Sequence, residues 1–104
     1  MNSEKIKVIV DADLKDLIPG FLENRQKDVE QLKHACSNND SETLRSIGHS
    51  LKGVGGGYGF DMISEIGAGI ESYSKSADLG AIKNLIDELA DYIDRLEVDY
   101  QEFP

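Results

Sequence analysis

Among the side chains able to do covalent chemistry, His49 is distinguished by its neighbours. Arg45 lies four residues before it, Lys52 three after, and Gly53 and Gly56 four and seven after. On a helix these offsets share one face. The apolar residues of the same segment, Leu44, Ile47, Leu51, Val54 and Tyr58, recur at spacings of three and four. Stepping about 100° per residue puts His49 roughly opposite the middle of that stripe, facing water. An exposed imidazole keeps a ring nitrogen free to attack a phosphorus centre, whereas a buried one would be held neutral and out of reach. The two flanking cations, Arg45 and Lys52, can balance the nearly two negative charges that an attached phosphoryl group brings.

Glycines give the second signal. Five of the seven residues from 53 to 59 are glycine, and each one inside a helix costs about 0.5–1 kcal/mol relative to alanine. On the His49 face, Gly53 and Gly56 would clear space for a partner surface to reach the imidazole. Gly55 and Gly59, nearer the apolar stripe, would let neighbouring helices approach. A phosphate-cradling loop is the rival use of such glycines, but neither G-x-G-x-x-G nor the Walker pattern matches in any register. Lys52 precedes Gly53 where the latter needs lysine after glycine, and no strand leads in.

The segment Gly48-His49-Ser50-Leu51-Lys52-Gly53, with Gly56 and Gly59 downstream, resembles the signature of the histidine-phosphotransfer (HPt) family of two-component phosphorelays. That signature is a small residue, His, a variable position, a hydrophobic residue, Lys and Gly, and after these come small residues and a further Gly. Phe21, Leu32, Ala35, Asp40 and the pair Ile70-Glu71 also fit, so the resemblance spans most of the chain. Gly48 stands where alanine is common, which would loosen the motif helix, and the run Gly55-Gly56-Gly57 is unusually glycine-rich. The resemblance implies that His49 carries the phosphoryl group on its outer ring nitrogen, that Lys52 stabilises it, and that Gly53 and Gly56 make room for a receiver domain. It further implies response-regulator receivers and a hybrid sensor kinase as partners. The receiver would supply the aspartate and Mg2+, so this chain would bind no cofactor and would not use ATP.

These residues need a scaffold, and the periodicity of the rest of the chain predicts one. Residues 1–11 form a lead in which Val8-Ile9-Val10 can lie extended against the body, and Asp11 or Asp13 can cap a helix at its end. Leu14, Leu17, Ile18, Phe21, Leu22, Val29, Leu32 and Ala35 then mark a first helix. Pro19 splits it into a short helix over 12–18 and a longer one. Asp40 or Ser41, with Glu42 in the first turn, starts the motif helix, which runs into the glycine-rich region; the sequon-like Asn39-Asp40-Ser41 is read as that helix start. Ile63, Ile66, Ile70 and Tyr73 mark a third helix ended by a turn over 74–78, and Ile82, Leu85, Ile86, Leu89, Ile93 and Leu96 a fourth. With no alternating strand pattern, the expectation is an all-α, antiparallel up-down four-helix bundle over about 12–100 with a short N-terminal extension, one domain in all.

Composition narrows the function classes. A net charge of −9 repels nucleic acid and anionic membranes. No apolar run approaches the length of a membrane span, and the stretch Lys5–Val10 is too short for a signal peptide. One cysteine, Cys36, cannot form an internal disulfide, which suits the cytoplasm, and a monomer is expected. His34 and Cys36 lack further ligands for a metal site, so His34 is expected at the surface and Cys36 in the core. Asp87, Glu88, Asp91, Asp94 and Glu97 are read as the solvated face of the fourth helix. The sensor-kinase phosphoacceptor domain is disfavoured by Ser50, because such domains place an acidic residue directly after the histidine. A hydrolase using His49 as base lacks a serine or cysteine partner. The competing reading is a non-catalytic module that docks a receiver or kinase without being phosphorylated.

Overall fold

The computed structural model describes residues 4–103. Four helices dominate: α1 (Ile18–Ser37), α2 (Ser41–Val54), α3 (Asp61–Lys75) and α4 (Leu79–Arg95). Each consecutive pair is in contact and α4 returns to α1, so the helices close a ring around one core, with the α2–α3 contact the most extensive. Leu32, Leu44, Leu51, Ile63, Ile70, Ile82 and Leu89 have no solvent exposure. At about 1.5–3 kcal/mol for each such aliphatic side chain, this core is the main stabilising term.

The turns arise from local chemistry. Asp40 caps α2, its carboxylate accepting from Thr43 N at 3.1 Å and from Thr43 Oγ1 at 2.6 Å. Asp78 caps α4 in the same way, accepting from Ala81 N at 3.1 Å. The residue before each cap, Asn39 and Ala77, adopts φ of 54°. The preceding helix ends are closed by Asp40 N–H donating to Ala35 O and Asp78 N–H donating to Tyr73 O, the pattern in which a left-handed residue terminates a helix. Gly59, at φ 93°, ends the 3-10 turn between α2 and α3, so it serves a left-handed turn and not the helix approach expected of it. Pro19 lies in the first turn of α1, where its missing N–H costs nothing. The predicted short helix over 12–18 is a single 3-10 turn, Ala12–Leu14, capped by Asp11.

Two expectations need correction. The chain is not all-α: Ile6–Asp11 (β1) and Leu96–Gln101 (β2) pair as parallel strands, with Ile6 opposite Leu96 and Val10 opposite Tyr100. Both segments alternate. Ile6, Val8 and Val10 share one face with Leu96, Val98 and Tyr100 beside them, all wholly or half buried, whereas Lys7 and Glu97 are exposed. Parallel pairing of such short strands is marginal alone. Here it is supported by packing on the bundle: Val10 is 1% exposed, Lys15 sits over the Tyr100 ring, and Arg95 Nε donates to Glu4 O at 2.7 Å. The fourth helix therefore stops at Arg95. Leu96 and Glu97 belong to a strand, because β-branched and aromatic residues succeed them at every second position.

The second correction concerns α2, which ends at Val54. Gly56–Tyr58 form a 3-10 turn, so Gly56 and Tyr58 are not on the motif helix as their spacing predicts. Tyr58 still reaches the core, stacking on Phe21 with ring centroids 4.4 Å apart. Leu17 and Tyr73, assigned to apolar stripes by their spacing, are exposed, and Ser74 is buried in place of Tyr73. Among the described residues no helix is long and apolar enough to cross a membrane.

Candidate functional site

The α2–α3 contact is set by residues without side chains. A Cβ on Gly48 would lie 2.7 Å from Glu71 N and 2.9 Å from Gly67 O; one on Gly67 would lie 2.5 Å from Lys52 N; one on Gly55 would lie 2.6 Å from Ser64 N. All of these are backbone atoms, which cannot rotate away. Gly48 is thus not a weak point in α2, as its place in the sequence suggests, but the residue that lets α3 come close. The contacts descend along α3 as they ascend along α2, bringing Glu71 beside His49.

That approach makes the site. His49 Nδ1 and Glu71 Oε2 are 2.7 Å apart, with the imidazole 74% exposed and the carboxylate only 16% exposed. The hydrogen bond from His49, aided by the charge of Lys52, holds the Glu71 carboxyl below the usual glutamate range despite partial desolvation. Glu71 is therefore an acceptor, and Nδ1–H is the donor. The lone pair is left on Nε2, the nitrogen away from Glu71. Lys52 Nζ lies 3.5 Å from Glu71 Oε1, so one carboxylate ties together the histidine and the lysine predicted to act with it.

The other predicted residues surround this pair at differing distances. Arg45 is exposed and lines an open groove of about 460 Å³ next to His49, together with Glu42, Ser46, Glu71 and Lys75. Gly53 has nothing within 4 Å of where a Cβ would be. Gly56 is more confined: its N–H donates to Ser64 Oγ at 2.8 Å, and a Cβ would lie 3.5 Å from Asp61 Oδ1. Both glycines are exposed. His34 is exposed with its Nε2 3.1 Å from Asn38 Nδ2, and Cys36 is half buried against the core. No group of three or more His, Cys, Asp or Glu among the described residues could hold a metal ion.

An exposed imidazole with one nitrogen fixed as a donor and the other free is a nucleophile of defined geometry. With a lysine at hand and only an open groove beside it, it suits chemistry completed by a second protein. The family profile of the Hpt domain matches residues 16–99. The chain belongs to the Hpt-domain family. No curated protein and no solved structure matches it. Hpt domains carry out histidine phosphotransfer in phosphorelays and interact there with receiver domains and kinases. The matched region contains the four helices and the His49 site, while β1 lies outside it.

The residue that sequence reasoning missed is Glu71, which fits the Hpt pattern but carries no role in it on sequence grounds. Its signal is present in Gly67, one turn earlier on the same face of α3: a glycine inside a helix marks a close neighbour, and the side chain one turn on is the one presented to it.

Proposed function

We propose that this Hpt domain relays a phosphoryl group between receiver-domain aspartates through His49. The single observation that carries the reading is the 2.7 Å hydrogen bond from His49 Nδ1 to Glu71, which leaves the Nε2 lone pair available on an exposed ring. In the transfer, Nε2 attacks the phosphorus of a receiver's aspartyl phosphate. The N–P bond forms as the P–O bond breaks, and the aspartate leaves with the electron pair. The ring becomes an imidazolium, and Glu71 opposite Nδ1–H offsets its charge while Lys52 is within reach of the added oxygens. The receiver contributes Mg2+, and positioning supplies most of the rest, since phosphoryl transfer passes through a loose, charge-spread transition state.

Gly53, with open space above it, and Gly56 give the partner access. Arg45 adds positive potential. Glu71 acts through His49 and is a positioning residue. The same reading takes the four helices as an antiparallel up-down bundle, supported by the short turns at 38–40 and 76–78 and the opposed run of the α2–α3 contacts. It takes the chain as a cytoplasmic monomer, supported by a net charge of −9 that keeps copies apart.

The test is to incubate the protein with receiver domains charged by acetyl phosphate in Mg2+ and to look for acid-labile, base-stable label. Label is expected on the wild type and not on His49→Gln. Label surviving in the variant would refute the assignment. Stable receiver binding with no label on the wild type would favour a docking module that is never phosphorylated.

A further inference from the structure

The groove beside His49 lies to one side of it, and this asymmetry bears on how a partner lies over the histidine. Toward the start of α2 and the end of α3 the groove is lined by Arg45 and Lys75, whereas the exposed, uncharged Gly53 and Gly56 lie outside it, beyond His49 toward the end of α2 and the turn that follows. Lys75 has no part in the signature around His49 and comes to the groove only because α3 packs on α2. Among the described residues, neither Arg45 nor Lys75 has an ion pair or hydrogen bond, whereas Lys52 is already held by Glu71. Four other cations are spent on acidic neighbours of their own helices: Arg25 on Asp28, Lys27 on Glu23, Lys33 on Glu30 and Arg95 on Asp91. Glu42 is the one opposing charge in the groove not tied to His49.

A chain of net charge −9 repels an acidic partner at long range. Screening confines that repulsion to roughly 8–10 Å at physiological salt, so the charges lining the contact decide the encounter. A receiver that binds Mg2+ beside its reactive aspartate presents a cluster of carboxylates. We infer that Arg45 and Lys75 form an electrostatic docking element that takes an acidic segment at the rim of the receiver's phosphorylation pocket and fixes which way the receiver lies across His49. The inference rests on the relay reading above. It assigns Arg45 to docking, along with Lys75, and leaves the charge of the phosphoryl group to Lys52.

The experiment compares Arg45→Glu and Lys75→Glu with Lys83→Glu, an exposed lysine that lines a different groove, between α1 and α4. All three variants change the net charge equally. Transfer from receivers charged by acetyl phosphate is measured against receiver concentration, and the uncharged receivers are titrated onto each variant by calorimetry. Arg45→Glu and Lys75→Glu should each raise KM and Kd by about five- to tenfold at low salt, with the saturating rate of Lys75→Glu unchanged, and the difference from wild type should shrink at high salt. Lys83→Glu should stay within about twofold of wild type. Equal effects of all three would mean that only net charge matters and would overturn the inference, as would unaltered KM and Kd in the first two. Selective loss of binding without any label on the wild type would support the docking element while sinking the relay. A wild type that neither binds nor accepts label from any receiver would sink both.

Discussion

Replacing Gly67 by alanine tests whether one close helix contact supports both the fold and the site. The added Cβ would lie 2.5 Å from Lys52 N, 2.6 Å from Leu51 Cβ and 2.7 Å from Gly48 O. Ordinary contact begins near 3.4 Å, so α3 must retreat from α2 by about 0.9 Å. Overpacking of this kind costs about 1–3 kcal/mol, and the upper end applies because two of the three contacts are backbone. Alanine returns about 1 kcal/mol of helix propensity. The net loss should be about 2 kcal/mol, or roughly 10 °C in Tm for a domain of this size. Glu71 lies one turn beyond Gly67 and moves with it, which carries the 2.7 Å bond to His49 to about 3.6 Å, outside hydrogen-bond range. Urea unfolding monitored by circular dichroism reads the stability, and the His49 Nδ1–H resonance in a nitrogen-15 spectrum reads the bond. Gly53→Ala is the control: with nothing within 4 Å of its Cβ, it should gain about 0.5–1 kcal/mol and leave the resonance in place. A Gly67→Ala protein as stable as wild type, or one destabilised with the Nδ1–H signal unmoved, would refute the reasoning.

Three further outcomes are expected. Ala77→Gly should stabilise the protein by about 0.5–1 kcal/mol in chemical denaturation, because φ of 54° strains any residue with a Cβ. Because the Glu71 carboxyl is depressed by the hydrogen bond from His49, its contribution to stability is present above the unfolded glutamate value and is lost only as pH falls through the lower folded value. A carboxyl carbon titration should accordingly place Glu71 below the ordinary glutamate value, and Glu71→Gln should flatten the acid limb of the stability curve. Burial pushes the Tyr92 phenol up to about 12, with Asp61 adding to the rise. Ultraviolet titration should therefore show one of the four tyrosines ionising late, and stability should fall as pH rises from about 10 toward that value, because the unfolded chain ionises first.

Much of this is legible in local sequence, and the losses have a common cause. Spacings of three and four residues mark all four helices, since helix periodicity depends on neighbours within one turn. Asp40 and Asp78 cap from their own side chains, and His49 faces water because Leu44, Leu51 and the rest of the stripe face the core. Those features need only short-range chemistry, so the sequence by itself determined the helices, the exposed nucleophile and the Hpt pattern around it. The tertiary structure decided what depends on distant partners. β1 and β2 lie 90 residues apart in register, and neither strand can be stable until the bundle brings them side by side. Glu71 is 22 residues from His49 and becomes its partner only because Gly48, Gly55 and Gly67 let two backbones approach. A missing Cβ is plainly visible in a sequence, but the atoms that fill its space are settled by whichever helix packs there.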